Sequence, residues 1–240
     1  MINKDFFFFE NPEYDIPFYR KKPRLTRNNL IILLIGAIIA FSTPYFIPVG
    51  QYIIPKALII TLSTLLPILY TLKGHLETIF RLPKKGDIVL IALGIIFYMA
   101  LSILFSSALL ALGIAMPVNN AVSSDNLITA IAATIQILGE ELLKFSILVL
   151  VMAFAYKRTN RKNSLLCGII VSQVLFALFH IPAYGFNLAF LLVSIGIAST
   201  ILPIIYLITK NITVSYITHL LLDLIPLAFT VIGSSLFLML

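Results

Sequence analysis

The feature that most constrains this chain is a series of apolar stretches, each about as long as a helix that crosses a lipid bilayer. A helix rises about 1.5 Å per residue, so about 20 apolar residues span a hydrocarbon core of about 30 Å. The sequence predicts seven spans, approximately over residues 30–49, 53–72, 88–115, 127–155, 164–182, 188–209 and 212–230. Residues 231–240 are apolar but short for a separate crossing. The predicted fold is therefore all-α, a polytopic transmembrane helix bundle of seven to eight spans.

The overall composition excludes a soluble globular protein. Hydrophobic residues make up 60% of the chain and charged residues 11%, whereas soluble domains carry about 25% charged residues. Cys167 is the single cysteine, which excludes an intrachain disulfide and a zinc site built on cysteine pairs. Any chemistry must therefore depend on other polar residues.

The basic residues predict how the chain is oriented in the membrane. Short loops rich in Lys and Arg stay in the cytoplasm during insertion. Fifteen of the 17 basic residues fall in segments that a seven-span alternation places on one face: Lys4, Arg20, Lys21, Lys22, Arg24, Arg27, Lys73, Arg81, Lys84, Lys85, Lys157, Arg158, Arg161, Lys162 and Lys210. We therefore expect a cytoplasmic N-terminus, a basic arm over residues 1–29 and a transmembrane domain over residues 30–240. The net charge of +7 follows from this topology, so we expect no nucleic-acid partner.

The aromatic residues of the arm allow two interpretations. Phe6 to Phe9, Tyr14, Phe18 and Tyr19 alternate with prolines and cations. This composition suits a segment that lies in the lipid headgroup layer. It is equally compatible with a flexible cytoplasmic tail.

A few ionisable residues lie inside the predicted spans. An ionised side chain at the bilayer centre costs at least about 2.5–3.5 kcal/mol on insertion scales, so each one needs a reason. Lys56 lies near the end of its span, where it can extend its charge to the interface and needs no function. The other residues inside the spans are Glu140, Glu141, Lys144, His180, His219 and Asp223.

The spacing of these residues places one polar face on each of three helices. Residues four apart share a helix face; this applies to Gln136, Glu140 and Lys144, to Phe176 and His180, and to His219 and Asp223. Such faces should turn toward each other rather than toward lipid. We therefore expect a buried cluster of Glu140, His180, His219 and Asp223. Counted from the helix ends, His219 is expected at a shallower depth than Glu140 and His180.

Three motifs in this region resemble the CAAX protease and bacteriocin-processing family of intramembrane proteases, also called the Abi family. That family carries Glu-Glu-x-x-x-Arg, Phe-x-x-x-His and His-x-x-x-Asn or Asp on separate spans. Here residues 140–145 read Glu-Glu-Leu-Leu-Lys-Phe, Phe176 precedes His180 by four, and His219 precedes Asp223 by four. The resemblance covers residues 127–226. Phe145 occupies the position of the family's arginine, and the nearest cation, Lys144, comes one residue earlier.

The resemblance implies an endopeptidase that needs no cofactor. In it Glu140 and His180 polarise a water, His219 and the residue at position 223 stabilise the oxyanion, and Glu141, Lys144 and Phe176 support them. An ionised Asp223 would repel an oxyanion, so we assign it to orient His219 by a hydrogen bond. The implied substrates are peptides or proteins at the membrane lipid, such as prenylated CAAX proteins or bacteriocin precursors with a leader peptide. The compact chain favours a bacterial plasma membrane.

Other functions remain open from the sequence. A zinc metalloprotease could use His180, His219 and Glu140 as ligands, although the sequence lacks the His-Glu-x-x-His motif. Buried Glu and His residues also occur in proton-coupled transporters. A non-catalytic bacteriocin immunity protein would tolerate Phe145 in place of arginine. Finally, the charged residues could simply hold the helices together.

Overall fold

A computed structural model of the chain describes residues 5–15, 25–48, 50–117 and 127–237, with side chains as far as residue 225. This part of the chain is helical and contains no β-strand, which confirms the predicted all-α bundle. The helices are α1 Arg27–Phe46, α2 Ile53–Thr71, α3 Lys85–Ala111, α4 Leu127–Ala155, α5 Arg161–Phe179, α6 Ile181–Tyr184, α7 Leu188–Thr209 and α8 Ile212–Phe237. Helix α7 contains a π-helical stretch, Leu191–Ile197, before it returns to α geometry.

The seven long helices correspond to the seven predicted spans. Five of them, α1, α2, α3, α5 and α7, are long and apolar enough to cross a membrane. Helix α4 has the length of a span but carries three charged residues, and α8 is apolar over Ile212–Ile225, the part of it whose side chains the structure describes. Helix α8 continues without a break to Phe237, so residues 231–237 extend this helix rather than form a separate eighth span. Residues 238–240 lie outside the described residues.

Helices α2 and α4 approach each other closely beside the charged residues of α4. A Cβ atom on Gly139 would lie only 2.7 Å from Thr61 Oγ1 and 2.8 Å from Thr61 Cα. Thr61 Oγ1 also donates a hydrogen bond of 2.6 Å to the carbonyl of Ile135. Because a hydrogen bond and a close contact fix the two helices relative to each other, the neighbouring Glu140 is held at a defined position.

Part of the N-terminal arm packs against one end of the bundle. Phe6 is buried, and the backbone N–H of Asn11 donates to the carbonyl of Leu207 at 3.1 Å. Glu10 and Asp15 bind Arg161 at the start of α5. Residues 5–15 are therefore held by the protein, an arrangement that differs from both sequence interpretations of the arm. Residues 16–24 lie outside the described residues.

Four buried side chains form the ionic contact that holds the arm, and we call them the arm cluster: Glu10, Asp15, Arg161 and Lys210. Arg161 Nη2 donates to Glu10 Oε1 at 2.5 Å, and Arg161 Nη1 donates to Glu10 Oε2 at 3.0 Å. Arg161 Nε also donates to Asp15 Oδ1 at 3.0 Å. Lys210 Nζ donates to Glu10 Oε1. Arg161 is 2% exposed and Lys210 0%, so the contact lies away from solvent.

The turn between α7 and α8 lies inside the protein. Lys210 and Asn211 are both buried, and Arg81 Nη2 donates at 2.8 Å to the carbonyls of Thr209 and Lys210. Helix α8 therefore begins inside the protein, beneath the docked arm and Arg81, rather than at the protein surface.

Candidate functional site

A cavity of about 240 Å³ extends into the bundle. Each of the helices α1 to α8 contributes at least one described residue to its wall. Glu140, His180, His219 and Asp223 all line it. The structure thus brings together the four residues that the sequence predicted to converge.

His219 lies at the centre of the charged groups. Its Nδ1 is 2.8 Å from Glu141 Oε1, and because a carboxylate only accepts, this is an Nδ1–H donor. Its Nε2 is 3.9 Å from Glu140 Oε2 and 4.0 Å from Asp223 Oδ2. A carboxylate on Nδ1 fixes the ring and favours a proton on Nε2 as well. Nε2 is therefore a potential donor toward the cavity.

Glu140 is oriented by a residue of its own helix. Gln136, one turn earlier on α4, donates from Nε2 to Glu140 Oε1 at 2.8 Å. Glu140 is buried, but it lines the cavity together with Gln136. This pair matches the polar stripe predicted for α4. One carboxylate oxygen is thus held by Gln136, while the other lies on the side of His219.

Glu141 collects three partners. It accepts from His219 Nδ1 and from Ser215 Oγ at 2.5 Å, and it forms an ion pair with Lys144. Sequence reasoning assigned neither the contact with His219 nor a role for Ser215. Ser215 precedes His219 by four residues on α8, so the spacing that identified Asp223 could also have identified Ser215. Glu141 consequently links α4 to α8 beneath the cavity.

The cation of the first motif is supplied by Lys144. Besides its ion pair with Glu141, its Nζ lies 4.3 Å from the centre of the Phe176 ring, an attractive cation–π contact. Phe145, at the position of the family's arginine, is buried among apolar residues and contacts Tyr206 edge-on at 5.5 Å. The predicted substitution of the arginine by its neighbour therefore has a structural basis, because the positive charge of Lys144 pairs with Glu141.

His180 is fixed by the residue that shares its motif. Its Nδ1 lies 2.8 Å from the carbonyl oxygen of Phe176. A carbonyl only accepts, so Nδ1 carries the hydrogen, and in the neutral ring Nε2 holds a lone pair. The Phe176 ring contacts His180 at 4.7 Å and His219 at 5.9 Å between ring centres. Phe176 thus contacts both histidine rings and orients His180 through its carbonyl.

Asp223 does not make the predicted hydrogen bond to His219. The distance of 4.0 Å is too long, and Glu141 takes that role because α4 is rotated so that Glu141 faces α8. The side chain of Asp223 is 51% exposed at the cavity. It is therefore available to groups that enter the cavity.

Lys56 also lines the cavity, although its position near a helix end suggested that it reaches the interface. Its side chain is 8% exposed, and its charge interacts with that of Glu140. In the described part of the chain it forms no ion pair within 4.0 Å. The positive charge of Lys56 therefore attracts the Glu140 carboxylate across the cavity wall. Tyr98 of α3, which sequence reasoning also missed, lies in the same wall.

The described residues include no group of three or more His, Cys, Asp or Glu side chains arranged to hold a metal ion. The predicted zinc alternative would use Glu140, His180 and His219. In this structure the three line the same cavity without forming such a group. The zinc alternative stays a prediction that chelators can test.

The fold and this site define a polytopic helical membrane protein with a buried cluster of carboxylates and histidines. Residues 122–225 match the family model described as type II CAAX prenyl endopeptidase, Rce1-like. The matched segment contains all three motifs, and the match confirms the resemblance to the CAAX-protease family that they predicted. No curated protein and no solved structure gives a significant match.

Proposed function

We propose that this protein is an intramembrane endopeptidase of the CAAX-protease type, in which Glu140 activates a water molecule. The observation that carries the proposal is the convergence of Glu140, His180 and His219 at one cavity. The match of residues 122–225 to a family of CAAX endopeptidases supports the same reaction class. Peptide hydrolysis needs a base, an oxyanion donor and a proton for the leaving amine.

Glu140 and His180 act on the attacking water. Glu140 takes a proton from it, and the neutral His180 accepts a hydrogen bond at Nε2, which turns an oxygen lone pair toward the peptide carbonyl. Gln136 holds Glu140 through one oxygen, so the other oxygen serves as the base. Water attacks the carbonyl carbon, and the carbonyl oxygen becomes an oxyanion.

His219 stabilises this oxyanion. Glu141 holds Nδ1, and the protonated Nε2 donates to the negative oxygen. The proton on Glu140 then passes to the leaving nitrogen as the carbon–nitrogen bond breaks, which returns Glu140 to its starting state. Asp223 Oδ2 lies 4.0 Å from the same Nε2, and its carboxylate favours the protonated form of His219.

The substrate class follows from the location of the site. A cavity within a bundle of apolar helices favours a peptide bond in a segment already held at the membrane lipid. Prenylated proteins and leader peptides of bacteriocin precursors both fit this description. We place the protein in a bacterial plasma membrane.

The test is Glu140→Gln, which keeps the shape and removes the base. We expect peptide cleavage by the protein in proteoliposomes to fall at least about 1000-fold. The matched control is Glu77→Gln, at an exposed glutamate outside the long helices, which should retain full activity. An active Glu140→Gln protein would contradict the proposal. Inhibition by tight chelators with recovery on adding zinc would instead favour the zinc mechanism.

A bacteriocin immunity protein is the second candidate. It is favoured by Phe145, an apolar side chain at the position of the family's arginine. An immunity protein that acts by binding alone would protect cells equally well with Glu140→Gln. A protease would lose protection and cleavage together.

A further inference from the structure

The cavity lies toward one end of the bundle. Its lining includes Pro44 near the end of α1, Ile53 in the first turn of α2, Thr129 in the first turn of α4 and Pro182 in α6. These positions all belong to the end where α1 stops and where α2 and α4 begin. Of the described residues that line the cavity, none comes from the opposite end.

The opposite end carries the basic residues and the docked arm. Helices α1, α3 and α5 begin there at Arg27, Lys85 and Arg161. The arm cluster closes this end with buried ion pairs. Basic residues that flank membrane helices mark the cytoplasmic side.

Exposed aromatic residues surround the end at which the cavity lies. Phe46, Tyr52 and Phe186 are 82%, 70% and 76% exposed; Phe46 ends α1, and the other two lie in connections at that end. Large aromatic side chains concentrate where membrane and water meet. The wall of the cavity therefore reaches the interface opposite to the basic end.

We propose that the cavity opens to the non-cytoplasmic side of the membrane and takes a peptide segment presented from that side. The substrate class is then an exported peptide or the external part of a membrane protein, rather than the tail of a cytoplasmic protein. The statement about the opening stands on the geometry and the charge distribution. The statement about substrates rests on the proposed function.

The single cysteine makes the opening testable by labelling. In a Cys167→Ser background, Ala183→Cys introduces a thiol at the cavity, and Lys157→Cys introduces one at the exposed basic end. A membrane-impermeant maleimide is added to right-side-out and to inverted membrane vesicles. We expect Ala183→Cys to react at least about tenfold faster in right-side-out vesicles, and Lys157→Cys to react faster in inverted vesicles.

Two results would overturn the proposed opening. One is reaction of Ala183→Cys mainly in inverted vesicles. The other is reaction of Ala183→Cys in neither preparation while Phe186→Cys, which is exposed at the same end, reacts from outside. Labelling does not require activity, so its outcome is independent of the cleavage assay. Addition of a lipidated peptide to the outside of right-side-out vesicles should then give cleavage that inverted vesicles lack.

Discussion

The arm cluster and the site cluster, which we define as Glu140, Glu141, Lys144 and His219, are two buried ionic groups with opposite properties. In the arm cluster both cations contact the Glu10 carboxylate. In the site cluster Glu141 is similarly surrounded, but Glu140 and His219 also line a cavity shared with His180 and Asp223. Burial of charge alone therefore does not mark a functional site. A functional site is marked by buried charge that lies beside a space which water or a substrate can enter.

The largest effect that separates the two clusters is expected from Glu10→Gln. This change leaves Arg161 and Lys210 buried without a carboxylate partner at that position, so stability should fall by about 3–5 kcal/mol. Activity per folded molecule should stay within about twofold, since Glu10 does not contact the cavity. Thermal unfolding in detergent, together with cleavage by the folded fraction, checks both. Glu140→Gln should instead lose activity and keep its stability. An unchanged unfolding temperature for Glu10→Gln would contradict a structural role of Glu10.

A smaller effect on both properties is expected from Glu141→Gln. Lys144 loses its ion pair and His219 its charged partner, so we expect a loss of about 2–3 kcal/mol in stability and of about 100-fold in activity. Thermal unfolding and cleavage rates measure the two effects.

The double variant Glu141→Gln with Lys144→Met separates these roles. It removes both charges of the ion pair, so stability should recover in large part. Activity should stay low because His219 still lacks a carboxylate. Recovery of activity in the double variant would mean that Glu141 only neutralises Lys144.

The pH dependence of arm docking should follow Glu10. Burial raises the pKa of Glu10, but the ion pairs with Arg161 and Lys210 outweigh it and hold this pKa below 4.5. Because the docked pKa is the lower one, docking is fully stabilised above 4.5 and weakens as pH falls through the docked pKa. The chain has no tryptophan, so Phe9→Trp, at an arm residue that packs against the hydrophobic core, gives a single fluorescent reporter of docking. In the Glu10→Gln background the acid transition should disappear.

Lys210 should not release the arm at alkaline pH. Burial outweighs its attraction to Glu10 and lowers the pKa of Lys210 from 10.5 to about 8. Above pH 8 the docked protein therefore loses this proton before the undocked one, and the contribution of Lys210 to stability increases toward pH 10.5. The same Phe9→Trp signal should show no release between pH 8 and 10. Release in this range would show that the positive charge of Lys210 is essential for docking of the arm.

The smallest effect is expected from Lys56→Gln. Loss of a positive charge that interacts with Glu140 across the cavity should lower kcat by about fivefold, equivalent to about 1 kcal/mol. Lys73→Gln, at an exposed lysine beyond the end of α2, is the matched control. Equal activity of the two variants would show that Lys56 does not assist Glu140.

The helices and the convergence of the four site residues were predictable because hydropathy and a spacing of four residues are local properties. The choice of Glu141 over Asp223 as partner of His219 depends on how α4 is rotated against α8. That rotation depends on contacts between distant residues, such as the hydrogen bond from Ser215 to Glu141. The docked arm and the buried Lys56 depend equally on distant residues. Composition left two interpretations open for the arm, and the position of Lys56 near the end of its span favoured the interface.

The arm cluster also sets an order of events during biosynthesis. Glu10 and Lys210 are 200 residues apart in the chain, and synthesis proceeds at about 5–20 residues per second. Lys210 is therefore synthesised about 10–40 s after Glu10. During this interval the arm lacks part of its binding site, so the ionic contact closes only on a chain whose first six long helices have already been synthesised.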